Sequence, residues 1–123
     1  MPNAEQQAIN LAEKLTRFDA LWSPKIVAQM NDYHFKIAKI KGEFVWHSHP
    51  ETDECFLVLR GEMTIQLRDG FVHLAQGDLY IVPKGLEHRP CAEHECHILL
   101  IEPVGTPNTG DAGDERRVEA QWI

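Results

Sequence analysis

From Lys25 to Ile101 the chain is cut by turn-forming residues into apolar runs of four to eight residues, and this rhythm constrains the fold more than any other feature. The runs are Lys25–Met30, Tyr33–Ile40, Glu43–His49, Cys55–Leu59, Met63–Arg68, Phe71–Leu74, Leu79–Val82 and Cys96–Ile101. They are short and carry strand-like composition. Between them stand Asn31-Asp32, Lys41-Gly42, Arg60-Gly61, Asp69-Gly70, Gln76-Gly77 and Pro83-Lys84-Gly85. Asp-Gly in particular favours a tight hairpin. Close, regular spacing of this kind predicts an all-β sandwich or barrel. A length of 123 residues supports one core, so residues 1–123 are read as a single domain. Ile9, Leu11, Ala12, Leu15 and Phe18 recur at helical spacing and predict a short amphipathic helix over about residues 4–18. The barrel spans about 25–102, followed by an extended tail over 103–123 that is rich in Gly, Pro, Asn and Asp, with Trp122 and Ile123 anchoring its end.

Charge and cysteine usage narrow the function. A formal net charge of -7 repels a phosphate backbone or an anionic membrane surface, so neither nucleic acid nor membrane is an expected partner. The opening MPNAEQQAIN lacks the basic and apolar segments of a secretion signal, and three irregularly spaced cysteines cannot complete a disulfide framework. The expected location is cytoplasmic.

Seven histidines in so short a chain are unusual, and their placement matters more than their number. On a strand, residues two apart project from one face, so His47 and His49 can hold one ion between them, while Trp46 and Ser48 point away. Glu54 opens the next strand after a short Pro-containing connection, from which its carboxylate can reach back. His88 follows the Pro83-Lys84-Gly85 turn, where the chain re-enters the sheet. Three imidazoles and one carboxylate suit a divalent transition metal: iron, manganese, nickel, cobalt or zinc. Asp53, beside Glu54, is the alternative carboxylate.

The segment Gly42-x4-His47-x-His49-x4-Glu54-x6-Gly61 resembles the first cupin motif, and Gly77-x5-Pro83-x-Gly85-x2-His88 resembles the second. The first gap is one residue shorter than usual, and Ala92 stands where the second motif often ends in Asn; neither position is a ligand. The resemblance implies a double-stranded β-helix, the cupin or jelly-roll barrel. It implies metal ligation by His47, His49, Glu54 and His88, and favours iron or manganese. It is similar to the small cupins labelled mannose-6-phosphate-isomerase-like or accessory to polyketide pathways.

The leading functional expectation is a metal-dependent enzyme acting on a small oxygen-rich molecule, by dioxygenase-type oxidation or by isomerisation or cyclisation. Glu54 would then alternate between ligand and general base. The alternative is a non-catalytic, metal-dependent module that binds a small ligand. Val45, Phe56, Val58, Met63, Ile65 and Leu79 are the expected inner-wall residues. Cys91, His94, Cys96 and His97 lack zinc-site spacing and read as loop and core positions. His34 and His73 read as surface or packing residues. The edge offered by strands 25 to 40 suggests pairing with a second copy, hence a homodimer.

Overall fold

The computed structural model describes residues 6–123. Helix α1 (Leu11–Leu15) precedes β1 (Lys25–Met30), β2 (Tyr33–Glu43), β3 (Glu54–Arg60), β4 (Glu62–Leu67), β5 (Gly70–Ala75), β6 (Leu79–Val82), β7 (His88–Pro103) and β8 (Gln121–Trp122). The longest strand, β7, organises the barrel. One edge runs antiparallel to β2, from Tyr33 opposite Pro103 to Glu43 opposite Cys91. Its other edge is divided: residues 97–101 pair with β3 and residues 88–91 pair with β4. One layer therefore extends through β3 to β6 and the other through β4 to β5, while β1 and then β8 extend β2. Register shifts at Ile40/Gly42 and at Val58/Arg60 let these long strands pass from one layer to the other. The result is the expected jelly-roll barrel.

Alternation builds its interior. Ala38 and Ile40 on β2, Phe56 and Val58 on β3, Met63 and Ile65 on β4, and Ile98 and Leu100 on β7 all face one buried cluster. Full burial of each such aliphatic side chain stabilises the fold by about 1.5–3 kcal/mol. Ile37 and Leu99 face the opposite side and, with Val27 and Leu15, form a second cluster beneath α1.

Several expectations are corrected. The helix covers Leu11–Leu15, not 4–18: the Asn10 side chain accepts from Glu13 N at 2.9 Å and caps it, and Ile9 before the cap is exposed. Residues 4 and 5 lie outside the described part. The run Glu43–His49 is not a strand beyond Glu43. Opposite it stands Pro90, which has no N–H to give, so the ladder thins to Phe44 N donating to Pro90 O and a lone bridge between His47 and His88. The final strand begins at His88 rather than Cys96. On β6, Val82 is buried and Tyr80 packs on the core, whereas Leu79 is 56% exposed and leaves the inner wall. Val45 is only half-buried, and Phe44 takes the inner position beside it.

Segment 103–123 folds back on the barrel. Thr109 is fully buried, and the Asn108 side chain holds Arg116 O and Val118 N. Strand β8 pairs in parallel with β1 at Lys25 and Ile26, covering that stretch of the outer edge. Ile123 joins the second cluster, and its carbonyl accepts from Lys14 Nζ at 2.8 Å. Among the described residues no helix is long and apolar enough to cross a membrane.

Candidate metal centre

The four residues singled out by spacing converge. His47, His49, Glu54 and His88 are all buried, and one ligand atom from each lies within 4.8 Å of the others. Ligands facing one another across an ion at about 2.0–2.1 Å each stand roughly 4.2 Å apart. The cluster therefore fits one ion after a small contraction. Asp53 is exposed and turns the other way, accepting from Lys84 N at 2.8 Å.

Backbone contacts aim the rings. His47 Nδ1 donates to Val45 O and His88 Nδ1 to Leu86 O, each at 2.9 Å. A carbonyl only accepts, so Nδ1 carries the proton and, in the neutral ring, Nε2 is left as the electron-pair donor. His47 and His88 exchange backbone hydrogen bonds at 3.0 and 2.9 Å, and Gly85 N donates to His49 O at 2.9 Å. The Pro83–Gly85 turn is thereby tied to the loop bearing the first two histidines. Outside the barrel, Arg68 and Arg89 lie 3.9 and 5.3 Å from the Trp46 ring, bracing that loop from its solvent side.

The electrostatics call for a cation. Glu54 Oε1 lies 3.3 Å from His88 Nε2 and 3.4 Å from His49 Nε2, and His49 Nε2 has no hydrogen-bond partner. Burial, followed by the charge of His88, pushes the His47 pKa from 6.5 down to about 4, which keeps the ring neutral near neutral pH. Burial opposes ionisation of Glu54, but the neighbouring His49 and His88 imidazoles outweigh it and hold the carboxyl well below the usual range. Electron-pair donors thus face one another in a dry site, the arrangement that a divalent ion between them relieves.

The cluster forms part of the wall of a cavity of about 40 Å³ between the two sheets. His47 and Glu54 line it together with Ala38, Ile40, Phe56, Ile98 and Leu100. Trp22 and Phe44, stacked 4.7 Å apart, also line it, as does Asn108. Trp22 holds φ 58, uncommon for a bulky residue, fixed by its N–H to Lys39 O and its indole Nε1 to Lys41 O.

Two contributors were not foreseen. Gly110, at φ +54, lies so close to the histidine loop that a Cβ would sit 2.3 Å from Ser48 O and 2.9 Å from His47 Cδ2. Beside it, Asp111 accepts from Ser48 N at 2.8 Å and Ser48 Oγ at 3.1 Å. Nothing in the local sequence near His47 announces a partner more than sixty residues away. Glu102, buried at 1% exposure, is the second. Its signal was present: Ile98, Leu100 and Glu102 alternate on one face, placing a carboxyl on the inner wall.

The remaining cluster disperses. Cys96 is fully buried in the core, Cys91 Sγ turns to Thr64 O at 3.5 Å, and His97 Nε2 pairs with Glu95 at 2.7 Å. Burial raises both thiol pKa values, to about 11 for Cys96. His34 packs edge-on against Trp122 and His73 is exposed.

Fold and cluster define a class: a small jelly-roll barrel with a buried His/Glu group able to hold a metal ion. Comparison with known proteins gives the particular family. The Cupin domain model matches residues 33–102. A cupin-2 domain protein of Shewanella frigidimarina is 49% identical with TM-score 0.77, over 77% of this chain and 93% of that one. Protein NMB1881 of Neisseria meningitidis is 31% identical with TM-score 0.73, over 79% of this chain and 99% of that one. The uncharacterized Bacillus subtilis protein YdbB is 35% identical over 62% of this chain and 77% of its own length. The chain belongs to the cupin domain family.

Proposed function

We propose that His47, His49, Glu54 and His88 ligate one divalent transition metal ion, iron or manganese in preference to nickel, cobalt or zinc, and that the protein is a metal-dependent enzyme acting on a small oxygen-rich molecule. The observation that carries this reading is the convergence of four buried ligand atoms within 4.8 Å on the wall of a cavity. A purely structural ion needs no adjoining space, whereas three imidazoles and one carboxylate leave an octahedral ion open toward that space. When bound, the ion supplies Lewis acidity and, for iron or manganese, access to a second oxidation state.

The chain's own residues set what enters. A volume of about 40 Å³ holds only a few water-sized groups, so the ligand is small or the Trp22–Phe44 stack moves aside to admit it. The apolar walls exclude bulk water, and Glu54 is placed to take up a proton from a group bound against it. The reaction is then an oxidation by dioxygen or an isomerisation or cyclisation of a small hydroxy-carbonyl compound. The open remainder of the β1 edge, with Met30 exposed, supports pairing with a second copy as a homodimer, which light scattering would report as twice the chain mass.

The test is turnover by protein reconstituted separately with iron(II) and manganese(II). Small hydroxy-ketones, diketones and catechols are followed by oxygen electrode and by proton NMR under nitrogen. Metal-dependent turnover in either format is expected. Tight, metal-dependent binding without turnover of any compound would instead establish the ligand-binding module.

A further inference from the structure

The inner rows of β2 and β7 end in charge. Lys36 continues the row Ala38–Ile40, and Glu102 continues Ile98–Leu100. Their side chains meet at 3.0 Å between Lys36 Nζ and Glu102 Oε1, with side-chain exposures of only 4% and 2%. A buried ion pair of this kind is a poor source of stability, because apolar residues of similar volume often do as well or better. Glu102 is further unsatisfied: Oε2 has no hydrogen-bond partner and is buried. The register that sets Cys55 opposite Ile101 carries Glu54 alongside Glu102, and both line the same cavity. Two carboxyl groups thus meet on one wall of an otherwise largely apolar cavity. With Glu54 engaged by an ion, Glu102 Oε2 has no other protein partner, and Lys36 holds the second carboxyl oxygen in place.

The geometry points to Glu102, fixed by Lys36, as a second polar anchor of the cavity that accepts a hydrogen bond from a hydroxyl group of the bound molecule. This rests on the metal-dependent reading and narrows its ligand class. The ligand carries an oxygen function at one end, directed to the cluster, an apolar middle against Ile98, Leu100 and Phe56, and a hydroxyl at the Glu102 end. Leaving a buried acceptor unpaired is costly, so an analogue lacking that hydroxyl binds less well.

The test compares 3-hydroxypropionate with propionate as probes, titrated calorimetrically into manganese-loaded full-length protein. Metal content and thermal melting are recorded for every variant. Wild type is expected to prefer the hydroxylated probe by about tenfold. The double variant Lys36→Met/Glu102→Leu, which removes both charges together, is expected to load manganese like wild type while the preference falls to near one. Glu102→Gln keeps an acceptor oxygen and is expected to retain an intermediate preference. Full manganese loading with the preference unchanged in the double variant and in Glu102→Gln would overturn the anchor while leaving the metal reading intact. Loss of manganese by a folded Glu102→Gln would overturn it by assigning Glu102 to the ion itself. Failure of wild type to take up manganese would remove both.

Discussion

His47 is held on two sides by contacts that have nothing to do with each other in sequence. Its Nδ1 is committed to Val45 O at 2.9 Å, and Gly110 approaches the ring so closely that a Cβ there would lie 2.9 Å from Cδ2. Burial first, then His88, lowers its pKa from 6.5 to about 4. A folded-state value below the unfolded one means that the unfolded chain binds the additional proton. In the metal-free protein the stabilisation is therefore complete above pH 6.5 and is lost as the pH falls toward 4. Glu54 acts in the same sense below 4.5. Glu102, raised by burial and by Glu54, acts oppositely: its contribution is complete below 4.5 and fades as the pH rises. Between pH 6.5 and pH 4.5 the urea-measured stability of metal-free wild type is expected to fall relative to that of His47→Phe by on the order of 2 kcal/mol, a comparison in which the opposing Glu102 contribution cancels. The same pH dependence in wild type and His47→Phe would contradict the depressed imidazole.

Gly110 allows a sharper test at the same scale. Gly113 has a similar φ of +60 but open space around its Cβ position, whereas Gly110 at +54 faces Ser48 O and His47 Cδ2. Either Gly→Ala change incurs the left-handed backbone cost of about 1–2 kcal/mol. Only Gly110→Ala is expected to weaken metal binding as well, by roughly tenfold or more in a competition titration against a chelator. Equal affinities in the two variants would show that the close approach does not govern the ring. The four clustered residues were legible because local spacing and turn residues encode them. Glu102 was legible only as an inward position on the alternating row Ile98–Leu100, and Gly110 was not legible at all, since its importance comes from which distant loop the fold sets against it.

Among the elements, β7 accounts for most of the difference between sequence and structure. Its residues 88–91 lack a continuous apolar pattern because Arg89, Pro90 and Cys91 face different surroundings, so only the run from Cys96 looked like a strand. The expected strand over Glu43–His49 failed for a related reason, since its partner across the ladder is Pro90. The consequence favours the site: an irregular segment can curl both His47 and His49 inward, held by a two-residue bridge rather than a full ladder. The segment from Pro103 to Gly113 replaces the missing ladder as a strap across the loop. Asp111→Ala removes two hydrogen bonds to Ser48 and keeps the backbone bond from Asp111 N to Ser48 O. It is expected to weaken metal binding by roughly threefold to tenfold while leaving the thermal midpoint within about 2 °C of wild type, because Asp111 is exposed. Unchanged affinity in the same titration would reduce the strap to a covering.

For the molecule as a whole, the all-β class was legible from turn chemistry and strand length, and the acidic balance of -7 argues against polyanionic partners. How two layers share β2 and β7 was not, because layer exchange depends on bulges that alternation does not mark. The sharing has a functional effect. Residues from β2, β3 and β7 and from both ends of the histidine loop meet at one cavity, so the candidate ligands and the apolar wall are fixed by the same packing. The most direct measurement is elemental mass spectrometry of untagged protein, wild type beside His47→Ala/His49→Ala. Near-stoichiometric iron or another divalent transition metal in wild type, absent from the folded double variant, is the expected result. Wild-type protein that carries none and takes up none on reconstitution would contradict the four-ligand centre.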